Sequence, residues 1–203
     1  MCTNYSPAKV ERLRVLLGLG PPIEYPPETF PDYESPLILI NKDDKQDCVV
    51  ANFGFAPAEY APAGMPNPVN ARAETVATNR MCSKYWKACN LCIVPVDAIY
   101  EPCYESGRNV RHKIWIKGES EFGIAGIWRA WESPTGGPPR HTFAMLTLNA
   151  EPRHLQAHAQ TDQPRWHSKG EARGGHAHAR QVERLGGLPG PRGGAQLFVV
   201  VPS

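Results

Sequence analysis

Cys2 directly follows Met1, so removing the initiator methionine would leave an amine and a thiol on adjacent carbons. This 1,2-aminothiol can do chemistry that no internal cysteine can. An α-amine titrates near pH ~8, so part of it is neutral at physiological pH and can attack an aldehyde to give a Schiff base. The thiol then adds to the same carbon and closes a thiazolidine ring. The plainer alternative for Cys2 is inert packing, the usual fate of a free cysteine.

Few other residues offer metal or nucleophile chemistry. Cys82, Cys89, Cys92 and Cys103 are separated by six, two and ten residues, which lacks the paired knuckles of a zinc ribbon or finger. Cys92 also heads the apolar run Cys92-Ile93-Val94-Pro95-Val96, so reduced core thiols are expected and no metal or other cofactor. Histidines at 154/158 and 176/178 have no carboxylate or cysteine beside them to suggest a metal. Asn70-Ala71-Arg72-Ala73-Glu74-Thr75 is a polar cluster with too little apolar content for core. Glu101-Pro102 puts an acid at the end of an expected strand.

The elements that would position these residues are mostly strands. Ser6-Pro7 reads as a helix start, with Val10, Leu13, Leu16 and Leu17 at helical spacing and Gly18 as the stop. That helix would dock the N-terminus against the core. Strands are expected at Leu37–Ile40, Cys48–Phe55, Leu91–Tyr100, Lys113–Ile116, Phe122–Trp131 and Thr142–Leu148, with a short helix around Tyr85-Trp86-Lys87. Proline-rich stretches at 20–36 and 56–68 read as loops. The fold class predicted is α+β, mostly antiparallel sheet with few short helices, in one domain over residues 1–150. Charge of 21% and a net charge of +2 suit a soluble protein and neither demand nor exclude a polyanion. With no long apolar run and no signal-peptide pattern, a cytoplasmic monomer away from membranes is expected.

Met1-Cys2 with Asn4-Tyr5, and the 70–75 cluster, resemble the SOS response-associated peptidase family of abasic-site processing proteins. Residues 92–102 are similar to its Cys-Leu-Ile-Pro-Ala-Asp-x-Phe-Tyr-Glu-x segment. Phe122–Trp128 and Thr142–Ala150 look like its later strands. The resemblance implies self-removal of Met1 and capture of ring-opened abasic aldehydes in single-stranded DNA as a thiazolidine. It implies Cys2 as nucleophile, Asn70 holding the N-terminus or sugar, Glu101 handling protons, and Arg72 pairing with phosphate. Tyr60 and Trp86 are candidate stacking surfaces for bases, with packing as their alternative role. Two departures concern DNA contact: Asn4 stands where the family often has an arginine, and Ala58-Glu59-Tyr60 replaces a Trp-containing stretch.

Beyond residue 150 the composition changes. From Gln156 to Gln181 Trp166 is the only large apolar residue, and five of the seven histidines follow residue 150. Residues 151–203 read as a low-complexity, irregular or disordered tail, explained by a reading-frame shift near 151–157. Moved by one base, Ala157–Thr161 can encode Arg-Met-His-Lys-Pro, which resembles the family segment carrying its catalytic histidine. Glu171–Ala179 and Arg192–Phe198 can likewise encode a family-like strand and helix. Ala159 then stands in the place of that histidine, and neighbouring His158 is the candidate catalytic imidazole. The final core strand would be missing, at a cost of several kcal/mol judged from about 25 cal/mol per Å² of apolar surface. Two functions follow: an active crosslinking enzyme, or a catalytically impaired single-stranded DNA-binding remnant. A cysteine protease of the ordinary kind is disfavoured, because Cys2 heads no helix.

Overall fold

A computed structural model describes residues 3–18, 24–40, 45–103, 110–116, 121–133 and 136–148, with the backbones of two short strands beyond. In chain order the elements are β1 (Asn4–Pro7), α1 (Val10–Leu17), β2 (Glu34–Ile40), β3 (Gln46–Phe53), β4 (Asn70–Arg72) and α2 (Ser83–Lys87). They continue with β5 (Leu91–Cys103), β6 (Val110–Ile114), β7 (Phe122–Trp131), β8 (Arg140–Thr147), β9 (Val182–Arg184) and β10 (Leu197–Val200). The class is α+β, sheet-dominated with short helices. No described helix is long and apolar enough to cross a membrane.

Apolar residues two apart on β2, β3, β5, β7 and β8 need a common inside, and the strands supply it by closing into a ring. β5 pairs with β2, β2 with β3, β3 with β8, β8 with β7, and β7 returns to β5. All but the β3–β8 contact are antiparallel. Side chains alternate across each strand, and one set fills the ring: Leu37, Leu39, Phe53, Cys92, Val94, Val96, Ile124, Phe143 and Met145. The ring closes tightly at Gly126, where a Cβ would lie 2.8 Å from Cys92 Sγ and 3.1 Å from the Ala144 carbonyl oxygen. The outward set of β7 and β8 (Ala125, Ile127, Ala144 and Leu146) is covered by Phe55, Val76, Cys82 and the flank of α2. A third cluster joins Ala8 and Leu13 to the outward Cys48.

β5 is the hub. Val96 has Pro7 of β1 on one side and Phe122 of β7 on the other. Further along, Ile99 lies between Tyr5 of β1 and Ile114 of β6. β1 therefore continues the edge that β2 leaves, and β6 continues the edge that β7 leaves. Ser6 is opposite Ala98 but Pro7 is opposite Val96, so Asp97 is an extra residue, a β-bulge. The bulge shifts the alternation by one, which lets Val96 and Ile99 share the interior.

Several boundaries differ from the sequence expectation. Ser6-Pro7 belongs to β1, not to a helix start, because both residues pair with β5. α1 begins three residues after Pro7, its N-cap Lys9 makes no side-chain capping bond, and Gly18 closes it in the left-handed region at φ 67°. β5 runs on to Cys103, so Glu101 lies inside a strand and not at its end. Asn70–Arg72 form β4, and Ala71 of the polar cluster is in fact buried. In the tail, β9 and β10 pair with each other, and β10 lies along Gly123-Ile124 of β7. The rest of residues 149–203 lies outside the described residues.

Candidate functional site

Register decides which of the candidate side chains share a face. Asn4 lies opposite Tyr100 and Tyr5 opposite Ile99, so the chain enters along β5 from the side of Glu101. Glu101 is two residues beyond the interior Ile99, on the same face, and is only 4% exposed. Its other neighbour is His112, directly opposite on β6.

Asn70 and Arg72 reach the same face by another route. β4 runs parallel to β8, with Asn70 beside Met145 and Arg72 beside Thr147. Met145 is interior, so Asn70 and Arg72 point inward while Ala71 points out into the second cluster. Asn70 is half-buried and Arg72 exposed. Three of the five candidates thus share the inner face of the sheet. Cys2 and His158 lie outside the described residues.

The entering strand is held by a polar clamp. Asn4 is buried, and its Nδ2 donates to the Thr29 carbonyl at 3.2 Å. Backbone bonds between Tyr5 and Thr29 in both directions, 3.2 and 2.8 Å, tie β1 to the loop before β2. Arg111 of β6 donates to Asn4 Oδ1 and pairs with Glu28. Its guanidinium also lies over the Tyr100 ring, 3.6 Å from the centroid. Partial burial lowers the Arg111 pKa from its ordinary value. Tyr100 in turn shares a 3.1 Å hydrogen bond with Ser6 Oγ. At the bulge, burial first and the nearby Glu121 second raise the pKa of Asp97. Glu121 itself takes two bonds from Arg12, 2.8 and 3.1 Å.

The proposed stacking residues look different in the structure. Tyr60 is half-buried, with Arg140 5.9 Å from its ring, and Trp86 packs against the second cluster. Among the described residues the more exposed aromatics are Phe30 and Tyr33, 43% and 48% exposed, in the loop next to Thr29. No periodic pattern marks them, because that loop has no regular element. Among the described residues no three His, Cys, Asp or Glu side chains group as metal ligands.

This arrangement has relatives. The family model described as SOS response associated peptidase (SRAP) matches residues 20–162. The chain belongs to this family. The SRAP fold is also seen in a Bordetella bronchiseptica crystal structure of 27% identity, covering 79% of this chain and 82% of that one with a TM-score of 0.65. A Bacteroides thetaiotaomicron structure (22% identity, 73% and 68% covered, TM-score 0.58) has a similar fold. So does a phage-related protein from Bordetella bronchiseptica (18%, 72% and 69%, TM-score 0.52). No curated protein matches the chain. SRAP membership sets it among DNA-damage-associated, peptidase-like proteins that interact with DNA.

Proposed function

We propose that this SRAP protein captures abasic sites in single-stranded DNA, working as a cytoplasmic monomer without a cofactor. Hydrolysis of the Met1–Cys2 bond frees the aminothiol. The amine adds to the ring-opened deoxyribose aldehyde, water leaves, and the thiol adds to the resulting imine carbon. The product is a thiazolidine, with one water lost overall. Glu101 gives the proton that lets the hydroxyl depart as water, Asn70 holds the N-terminus or the sugar, and Arg72 takes the adjoining phosphate. His158 is the candidate imidazole serving Cys2.

The observation that supports this reading most is the β1–β5 register, which aims the chain's start at the part of β5 carrying a buried carboxylate. A carboxyl screened from bulk water by the barrel wall is suited to proton transfer. The test mixes purified protein with single-stranded DNA bearing one abasic site and looks for a band surviving denaturation. Intact-mass measurement should find Met1 absent, and Glu101→Gln should slow adduct formation by about 10²–10⁴-fold. An adduct that persists in Cys2→Ala would sink the proposal.

The second reading is a single-stranded DNA-binding remnant with impaired chemistry. It is favoured by Ala159 standing where the family-like segment would carry its histidine. Salt-sensitive binding with no crosslink is its signature.

A further inference from the structure

We propose that His112 is the proton-relay partner of Glu101, an inference that rests on the abasic-site reading above. His112 lies directly across the β5–β6 ladder from Glu101. Directly opposed residues in an antiparallel pair have Cβ atoms about 4.5–5.5 Å apart, within side-chain reach of one another. Two residues on, Ile114 lies opposite Ile99, and both belong to the interior cluster, so His112 and Glu101 share that inner face. His112 is half-buried there beside a carboxylate that is 4% exposed.

The residues of β6 that flank His112 face away from Glu101. Alternation sends Arg111 and Lys113 to the opposite face, where Arg111 covers the Tyr100 ring and pairs with Glu28. On the far side of Glu101 the next strand is β1, which leads to the chain start. The sheet therefore lines up the entering N-terminal segment, a buried carboxylate and an imidazole across three adjacent strands. Imidazole is the side chain that most readily both takes and gives a proton near neutrality.

The step balances with these groups. The Cys2 amine and the aldehyde form a carbinolamine. Glu101, protonated, gives its proton to the hydroxyl, which leaves as water and yields the iminium. The Cys2 thiol passes its proton to the Glu101 carboxylate, and the sulfur electron pair forms the C–S bond that neutralises the iminium. His112 takes that proton up from Glu101 and returns it across the ladder, so both groups end in their starting states. His112 acts through Glu101 and is a positioning and relay residue.

The test is single-turnover adduct formation on abasic single-stranded DNA, measured against protein concentration for wild type, His112→Gln and His112→Gly. A relay predicts a maximal rate at least tenfold lower in both variants, with an unchanged half-saturating concentration. Free imidazole should restore His112→Gly, which has room for it, and not His112→Gln. Should His112→Gly fail to fold, the split between rate and half-saturation in His112→Gln decides alone. Unaltered maximal rates, or a shifted half-saturation with no loss of maximal rate, overturn the relay while leaving the abasic-site reading intact. No adduct from wild type with Met1 removed overturns both.

Discussion

Tyr5 offers the sharpest test of how the barrel presents the N-terminus. Tyr5 and Phe53 are both fully buried, with ring centroids 5.2 Å apart and planes at 86°. Phe53 also stacks on Phe143 at 5.3 Å. An edge-to-face or offset-stacked pair is worth about 0.5–1.5 kcal/mol beyond its buried area. Phe53→Leu removes two such pairs, so it should cost about 1–3 kcal/mol before any cavity is counted. The cycle of Tyr5→Leu, Phe53→Leu and the double variant should return a coupling of about 0.5–1.5 kcal/mol. Urea unfolding with an unchanged slope is the measurement. Phe143→Leu is the control: it breaks a ring pair in the same interior without touching β1. Tyr5→Leu should also retain part of the Met1 population by intact mass, whereas Phe143→Leu should not. Additive costs within about 0.3 kcal/mol, or equal Met1 retention in both, would refute the idea that this pair anchors β1.

Two further outcomes follow from the barrel. Gly126→Ala should destabilise by about 1–3 kcal/mol through overpacking against Cys92 Sγ and the Ala144 carbonyl, and its cost should shrink in a Cys92→Ala background; a neutral Gly126→Ala in urea would contradict the tight closure. His141, half-buried and 5.4 Å from the Trp128 ring, has its pKa lowered from 6.5, chiefly by burial. The unfolded chain then binds the proton more readily, so stability should fall as pH drops below about 6.5 toward the lower folded pKa. His141→Gln should flatten that part of the stability–pH curve, and an unchanged slope would refute the assignment.

Much of the ladder was legible because apolar alternation survives wherever a strand has one face inside. Phe122–Trp131 was anticipated to the residue, and β2, β3 and β8 to within a few. Ser6-Pro7 misled because a good capping pair is also compatible with an edge strand, and β5 won both residues. The extent of β5 was hidden by its bulge at Asp97, which shifts the period so that Glu101 looks like a terminus. β4 is three residues long and too polar to show a period, although Ala71 between two polar neighbours was its trace. The Glu101–His112 pairing could not be read at all, since it depends on the register of a hairpin whose connection, 104–109, carries no turn signature strong enough to set it. β10 did leave a sign, the apolar run Leu197-Phe198-Val199-Val200-Val201 after Gly193-Gly194.

The topology also bears on what an altered tail can damage. The ring of strands closes between Glu34 and Thr147, and the interior cluster draws on residues from Tyr5 to Met145. β10 runs along the part of β7 before its pairing with β8 begins at Gly126, and its Val200 lies beside Thr147 of β8. A strand there bridges β7 and β8 where the two separate and extends the wall between them. Changes beyond residue 150 therefore bear on the wall between β7 and β8 and on the proton chemistry assigned to His158, while the inner face with Asn70, Arg72, Glu101 and His112 is built by residues before Leu148. The proposed chemistry thus depends on whether the imidazole of β6 can do what the tail was expected to do, and the barrel holds that imidazole opposite the carboxylate by its own register.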